Sequence, residues 1–540
     1  MPAPRRSAST SARLARPKAE SSGGLLQWWT MPPRSHEVTN ETLGRPWIRS
    51  QRIVAVAFLV FFVLAIARCC TNLPWLDEGY LYDPVYTWLT KGHAGTTIVE
   101  SKGFPYEGIE RYFYWQPPLY PVISAAWLKV FGLSLIAFRS LSVVAGLCLL
   151  SCWAWLLRRL GAPRLVQLVA LIVIATDYAV IRAASDGRAD MLAAAFGLAG
   201  VTLYIKLREN NFAAAVLLSQ ALIVCGGLTH PMGGLLYLGM LVYFFMTGRD
   251  WRRLRWPHIA IAAIPYLIGA AGWGMYISHD PVLFRRLFFG ASTAGRLNDF
   301  LHPFLALKNE ILLRYLAPFG LRSPYLVARA KLVIPAVYLL AAAAVLFSPV
   351  RRQTFLRPFL AMWGVVFVGL LLLDKQVRGT YMVHILPLYA ILLGAFTIWL
   401  WNRTPRLRIP VAALLAAFVV LQAGGTLYIV KLDPYHREYG PMIDFVRRNA
   451  QPGDRIVGPP EMGFGLGFDA VHDDRALGYF VNRQPDIIIL DPEYREWYES
   501  LPKSNPAMGR FIADRFAAFR LAWRTTNFQV YLRRDRLGQS

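Results

Sequence analysis

The chain has 540 residues, of which 55% are hydrophobic and 17% charged, with a mean hydropathy of +0.36 and a formal net charge of +25. A typical soluble domain carries about 25% charged residues, so this composition predicts an integral membrane protein with several spans. The basic residues form short clusters between hydrophobic runs, without the continuous basic face that nucleic-acid binding needs. The five cysteines lie in or beside hydrophobic runs, so neither a zinc site nor a disulfide framework is expected.

The chain begins with a polar segment rich in Arg, Ser and Pro. This composition predicts a disordered basic cytoplasmic tail over 1–50. The uncharged run that follows is long enough for a first transmembrane helix near 53–70. Placing every basic cluster in the cytoplasm gives the remaining spans. They are 138–157, 165–183, three helices between 190 and 248, then 258–277, 332–349, 358–373, 382–401 and 409–430.

The fold class predicted is therefore an all-α polytopic membrane protein with about eleven transmembrane helices over 51–430. The odd number of spans puts the amino terminus in the cytoplasm and the carboxyl terminus outside. Two long outer loops are expected, at 71–137 and 278–331. Beyond 430 the pattern changes to a short amphipathic helix at 441–449 and strands near 455–457, 486–490 and 528–532. This change predicts a small extracytoplasmic α/β domain over 431–540.

The same topology gathers scattered polar residues on the outer face. Two adjacent acids, Asp77 and Glu78, follow the first helix, and Asp190 begins a later one. Lys375 and Arg378 lie on the outer side against the charge rule, which favours a functional role over a topological one. Acids placed beside cations suit displacement of an anionic leaving group, because a carboxylate can act as general base while cations stabilise a departing phosphate.

Several motifs in order resemble those of GT-C glycosyltransferases, and in particular the branch of lipid A aminoarabinose transferases and protein O-mannosyltransferases. The likeness covers about 50–430, and its strength lies in the order and spacing of the motifs. The matching positions are Trp75 to Tyr80 (WLDEGY), Pro117 and Pro118, Arg139, Arg188 with Asp190, His230, Arg296, and a basic segment over 375–387 that contains Tyr381.

The resemblance implies an inverting glycosyltransferase that uses a polyprenyl-phosphate-linked sugar donor. In that scheme Asp77 is the base that deprotonates the acceptor. Glu78 and Asp190 orient the acceptor or, as an open alternative, a divalent metal; no other cofactor is implied. The donor phosphate is held by Lys375, Arg378 and Arg296, with His230 and Tyr381 beside them. The supporting residues are Arg139, Arg188, Pro117 and Pro118, the two arginines having a second interpretation as anchors at the membrane interface.

A transporter or flippase of a lipid-linked or anionic solute is the main alternative, since intramembrane charges also mark transport paths. Transporters usually contain internal repeats, and none is found here, which favours the enzyme. A polysaccharide ligase or polymerase shares the lipid carrier but lacks the acidic first loop. We expect a protein of the bacterial inner membrane whose partners are the lipid-linked donor, membrane lipids and an acceptor that is a lipid, a glycan or a protein. No motif identifies the sugar or the acceptor.

Overall fold

The computed structural model describes residues 46–246, 250–292, 302–323 and 325–536. The predicted tail over 1–50 lies outside the described residues, except for 46–50, which already belong to the first helix. The candidate phosphate ligand Arg296 also lies outside them.

The chain is mostly helical up to residue 432. The helices in this part are α1 Pro46–Thr71, α2 Leu76–Lys91, α3 Leu119–Phe131, α4 Leu135–Arg159, α5 Arg164–Thr176, α6 Tyr178–Ser185, α7 Ala189–Leu207, α8 Phe212–Thr229, α9 Leu235–Met246, α10 Asp250–Arg253, α11 Trp256–Ile277, α12 Pro281–Phe284, α13 Pro303–Asn309, α14 Leu326–Ala330, α15 Val333–Phe347, α16 Leu356–Leu373, α17 Leu386–Arg403 and α18 Arg408–Leu432.

Within the described ranges, eight helices are long and apolar enough to cross a membrane, and the bent pair α5 and α6 makes a ninth candidate. The chain is therefore an integral membrane protein. Each of the eleven predicted spans has a helix at its place. However, α9 has 12 residues and α17 carries polar residues at its end, and neither is among these candidates. The count of eleven stays a prediction.

The third predicted span, 165–183, is present as two helices rather than one, because the chain bends by 53° between α5 and α6. Asp177 causes the break by capping α6: its carboxylate accepts the backbone N–H groups of Ala179 and Val180, both at 2.9 Å. The Tyr338 hydroxyl at 2.5 Å and the Gln422 amide at 3.0 Å complete its partners. Since a buried carboxylate is tolerated only when it is hydrogen-bonded, this network fixes the position of the break.

Residues 440–536 form a compact unit that we call the sheet domain. Its strands are β1 Ile456–Val457, β2 Val471–His472, β3 Ile487–Leu490, β4 Phe519–Arg524 and β5 Gln529–Arg533, in the order β2-β1-β3-β5-β4. The β1 strand is parallel to β2 and β3, and β5 is antiparallel to β3 and β4. Its helices are α19 Gly440–Asn449, α20 Gly463–Leu466, α21 Pro492–Ser504 and α22 Pro506–Ala517. The predicted helix and three predicted strands are all present, whereas β2 and β4 were not predicted.

The α2 helix and the loop after it connect the helical bundle to the sheet domain. In the loop, Val99 pairs in parallel with Asp473, whose backbone N–H donates to Ile98 at 2.7 Å. In the helix, a Cβ on Gly79 would lie 2.5 Å from the carbonyl carbon of Pro460, so only glycine permits this approach. The first loop is therefore part of the sheet domain's packing, and α2 lies between the two units.

Candidate functional site

A cavity of about 650 Å³ lies where α2, α6, the start of α7 and the turn after α16 meet the sheet domain. It is lined by side chains that are distant in sequence, because helix ends from different parts of the bundle converge at this point. The predicted site residues that line it are Asp77, Arg188, Asp190, His230, Arg378 and Tyr381.

Asp77 stands between two guanidinium groups. Its Oδ2 is in direct contact with Nη1 of Arg188 and lies 3.8 Å from Nη1 of Arg378. The same Arg188 donates from Nε to Oδ2 of Asp190 at 2.7 Å, and so it bridges the two carboxylates. The other oxygen of Asp190, Oδ1, is buried without a hydrogen-bond partner among the described residues. The cavity thus presents one ion-paired carboxylate that is 24% exposed and a second carboxylate with an unused oxygen.

The indole ring of Trp75 contacts two arginine side chains of the cavity. The guanidinium of Arg188 lies 4.7 Å from the centroid of its ring, and that of Arg182 lies 5.6 Å from it. Such contacts stabilise a cation over an aromatic face and restrict its rotamers. Arg182 also lies 3.6 Å from Asp186, four residues later on the chain. Sequence reasoning missed Arg182 because a single arginine in an apolar helix has the same pattern as an interfacial anchor.

Glu78 and Arg139 form a buried ion pair that does not line the cavity. Arg139 donates from Nε and Nη2 to the two Glu78 oxygens at 2.7 and 2.6 Å, and both side chains are 0% exposed. Glu78 also accepts the backbone N–H of Trp75 at 2.9 Å and that of Gly187 at 2.6 Å. The structure therefore places Arg139 in the interior rather than at the membrane interface. The pair ties the start of α2 to the turn that carries Arg188.

The remaining guanidinium donors of Arg139 bind the backbone at the end of α1. They reach the carbonyl oxygens of Cys69 at 2.7 Å, Asn72 at 3.1 Å and Leu73 at 2.8 Å. Gly187 is needed for the close approach on the other side, because a Cβ there would lie 2.3 Å from the ring of Phe138. Three segments of the chain are thus fixed around one ion pair.

The carboxylate of Glu78 is not free to bind a divalent metal. Both Glu78 oxygens already accept from Arg139, Trp75 or Gly187, so a metal would have to displace a buried arginine. In the part of the chain that the structure describes, no group of three His, Cys, Asp or Glu side chains is arranged to hold a metal ion. A metal held by Glu78 with Asp190, the open alternative for these residues, does not fit this arrangement, and we derive no step from a metal.

Arg378 is fixed by a buried polar network behind it. Its backbone N–H donates to Asp374 at 2.9 Å and its carbonyl oxygen accepts from Arg314 at 2.6 Å. Arg314, which is fully buried, also pairs with Asp374 at 3.1 Å and Glu310 at 2.6 Å. Val377 has a φ of 52°, which is strained for a β-branched residue. The turn is therefore held in one conformation that aims Arg378 at the cavity, while its side chain stays 45% exposed.

His230 and Tyr381 lie together on the cavity wall. The Tyr381 hydroxyl is 3.4 Å from Nε2 of His230, and Nδ1 of His230 accepts the backbone N–H of Met232 at 3.2 Å. That bond uses the lone pair of Nδ1, so in the neutral ring the proton lies on Nε2, beside the Tyr381 hydroxyl.

Three other predicted residues are placed differently. Lys375 is exposed on the turn before Arg378 and does not line the cavity. Pro117 and Pro118 precede α3, and neither lines the cavity, although the adjacent Trp115 and Gln116 do. These prolines end an extended segment and start a helix, which is an ordinary use of proline.

The sheet domain contributes two cavity residues that the sequence did not reveal, Arg475 and Glu493. The guanidinium of Arg475 lies 3.6 Å from Glu493 and 3.7 Å from Asp473, and it donates to the Tyr80 hydroxyl at 3.3 Å. Asp473 accepts from the hydroxyls of Tyr80 and Tyr494. Burial raises the pKa of the Asp473 carboxyl despite these partners. No motif marks these residues, because only the docking of the domain onto α2 brings them to the site.

The fold is similar to that of ArnT from Cupriavidus metallidurans bound to undecaprenyl phosphate. The TM-score is 0.58 at 16% identity, covering 90% of this chain and 97% of that chain. The apo state of the same protein gives a TM-score of 0.57 over the same coverage, also at 16% identity. The arabinofuranosyltransferase AftD from mycobacteria, at 12% identity over 89% of this chain and 40% of that chain, has a TM-score of 0.48, too low to support an argument.

No protein-family model and no curated protein sequence matches this chain. At 16% identity the structural likeness establishes the fold alone. The fold predicted from the ordered motifs is confirmed as that of ArnT, and the likeness spans both the helical bundle and the sheet domain.

Proposed function

We propose that this chain is a membrane glycosyltransferase that moves a sugar, with inversion, from a polyprenyl-phosphate-linked donor to an acceptor. One observation carries the proposal: the partly exposed carboxylate of Asp77 lies in a cavity between Arg188 and Arg378. This is the pairing of a general base with cations that the displacement of a phosphate requires. The likeness in fold to ArnT, a protein whose structure was determined with undecaprenyl phosphate, supports the choice of donor.

The proposed topology puts this cavity on the extracytoplasmic face of a bacterial inner membrane, with the amino terminus in the cytoplasm. The support is the distribution of basic residues. Clusters such as Arg158 with Arg159, and Arg351 with Arg352, lie at the ends of helices remote from the cavity, as the positive-inside rule expects of cytoplasmic loops. A donor lipid would then reach the cavity from the outer leaflet.

Arg378 is proposed to bind the donor phosphate, assisted by Arg182. Both guanidiniums line the cavity and are more than a third exposed, so a phosphate can reach them. His230 and Tyr381 add hydrogen-bonding groups on the same wall. Lys375 contributes only a more distant positive charge, since it is exposed outside the cavity.

Donor binding also prepares the base in this scheme. Before the donor binds, Asp77 shares the positive charge of Arg188 and Arg378. A phosphate that binds Arg378 draws this guanidinium away, because a phosphate offers it two charged oxygens in a bidentate geometry. Asp77 then keeps one cationic partner and becomes a better proton acceptor. The arrangement links base strength to the presence of the donor.

The chemical step is a single displacement. The acceptor oxygen or nitrogen forms a bond to the anomeric carbon while the bond from that carbon to the phosphate oxygen breaks. The bonding pair leaves with the polyprenyl phosphate, whose charge Arg378 stabilises, and the acceptor proton passes to Asp77. Arg188 and Asp190 hold Asp77 in position, and the unused Oδ1 of Asp190 is available to accept a second acceptor or sugar hydroxyl.

Transfer without a gradient separates the enzyme from a transporter. Full-length protein in detergent would be given a panel of undecaprenyl-phosphate-linked hexoses and pentoses with extracted envelope lipids and glycans as acceptors. The proposal expects one donor to be consumed, with release of undecaprenyl phosphate. If no donor is consumed in detergent, yet the lipid-linked sugar crosses the bilayer of proteoliposomes, the chain is a flippase instead.

A further inference from the structure

The cavity has a second, chemically different side that the phosphate and the base do not use. Half-buried rings of Tyr80, Tyr106 and Trp115 line it beneath the sheet domain. Trp115 stacks on Tyr106 with a centroid distance of 5.8 Å and an interplanar angle of 14°, and it lies 5.7 Å from Tyr80. The rings form a continuous aromatic surface that begins one helical turn after Asp77 on α2.

Polar groups of two kinds border this aromatic surface. On the sheet domain, Arg475 and Glu493 form an ion pair at 3.6 Å. On the loop before α3, the side-chain oxygen of Gln116 is buried and has no hydrogen-bond partner within the described ranges. A buried amide oxygen without a partner costs free energy, so an incoming donor such as a hydroxyl would be favoured at this position.

The charge at this side argues against an anionic ligand. Arg475 is already compensated by two carboxylates within 4 Å, Glu493 and Asp473. A phosphate placed there would meet Glu493, whose side chain is 49% exposed. By contrast, an uncharged ligand with many hydroxyl groups can donate to the carboxylate and to Gln116 and accept from the guanidinium.

We propose that this surface binds a neutral carbohydrate as the acceptor, with its sugar ring on Trp115 and its hydroxyls on Arg475, Glu493 and Gln116. The inference rests on the proposed function and names the acceptor class for the same site. The CH face of a sugar ring is apolar and packs on an aromatic ring, while its edge carries hydroxyls that need hydrogen-bond partners. The aromatic surface starts beside Asp77, so a bound sugar would present a hydroxyl toward the base.

The test uses the full-length protein in detergent. Its binding would be measured on an array that carries neutral oligosaccharides (glucan, mannan, galactan and arabinan fragments), phosphorylated oligosaccharides and Ser/Thr peptides. We expect binding to a neutral oligosaccharide. Glu493→Ala should weaken it about tenfold, the loss expected for one hydrogen bond to a charged group. The matched control is Glu499→Ala, on the exposed side of the same helix and outside the cavity.

The contribution of the Trp115 ring to oligosaccharide binding is tested by two substitutions. Trp115→Ala should weaken oligosaccharide binding at least as much as Glu493→Ala, and Trp115→Phe should restore most of it, which a merely misfolded variant would not do. Binding to phosphorylated ligands or peptides alone, or equal binding by Glu493→Ala and Glu499→Ala, would overturn the inference.

Binding of undecaprenyl phosphate, measured separately on the same preparations, keeps the two proposals apart. If undecaprenyl phosphate binds but no neutral oligosaccharide does, the acceptor assignment fails alone. If undecaprenyl phosphate does not bind, the glycosyltransferase proposal fails, and the acceptor assignment fails with it.

Discussion

The buried pair of Glu78 and Arg139 gives the sharpest separation between a structural and a catalytic role. Arg139→Met removes five hydrogen bonds and leaves the Glu78 carboxylate in a site that water does not reach. Breaking a buried pair from one side costs about 3–5 kcal/mol, because the remaining charge is uncompensated. We therefore expect a clear drop in the melting temperature of the detergent-purified protein.

The double variant Arg139→Met/Glu78→Met tests the cause of that drop. Replacing both partners by apolar residues of similar size is often neutral, so the double variant should be more stable than Arg139→Met alone. The comparison forms a double-mutant cycle once Glu78→Met is added, and all four proteins would be followed by thermal unfolding and by transfer activity.

A loss of transfer without a loss of stability would contradict a purely structural role for this pair. If Arg139→Met and Glu78→Met both unfolded at the temperature of the unmodified protein and yet lost transfer, the pair would act in the chemistry. Glu78 would then have to reach the substrate, contrary to its complete burial.

Three further outcomes follow from the same structure. Arg378→Ala should weaken binding of undecaprenyl phosphate about ten- to hundredfold, as expected for a hydrogen bond to a charged group, while Lys375→Ala should change it less; equal effects would contradict the assignment. Burial raises the pKa of the Asp83 carboxyl to about 7, so the folded protein binds this proton more tightly than the unfolded chain does. The resulting stabilisation of the fold is present at low pH and is lost as the pH rises from about 4 to about 7. Asp83→Asn should accordingly raise the melting temperature at pH 8 and less so at pH 5, and an equal gain at both would contradict this origin. Gly79→Ala should lower both stability and transfer, because its Cβ would collide with the backbone of Pro460; normal values for both would show that α2 and the sheet domain do not pack as described.

The positions of the membrane helices and of three strands could be predicted from the sequence, because they depend on local patterns of apolar and charged residues. Hydropathy and the placement of basic clusters predicted a helix at each expected span, and short apolar runs predicted β1, β3 and β5 within about a residue. The break at Asp177 was missed, although an acid within an apolar run that can cap a following helix was a readable signal. Tyr338 and Gln422, which donate to the other oxygen of Asp177, lie far along the chain, so the local pattern suggested one continuous helix.

The candidate site was predictable only on its membrane side. Topology gathers Asp77, Asp190 and Arg378 because each follows or precedes a span, and the structure does place them around one cavity. Arg475 and Glu493 depend on how the sheet domain docks on α2, and no local pattern encodes this contact. The role of Glu78 was also out of reach, because adjacent acids look alike in sequence, whereas the helix turns Asp77 toward the cavity and Glu78 toward Arg139.

The most direct test of the central claim compares Asp77→Asn with the unmodified protein in two measurements on the same preparation. One is transfer from the undecaprenyl-phosphate-linked sugar that the panel identifies, followed in a single turnover; the other is binding of undecaprenyl phosphate. If Asp77 is the base, Asp77→Asn should slow transfer by about 10²–10⁴ while still binding undecaprenyl phosphate, because the amide keeps the shape but cannot take the proton. Transfer by Asp77→Asn at the rate of the unmodified protein would contradict the account.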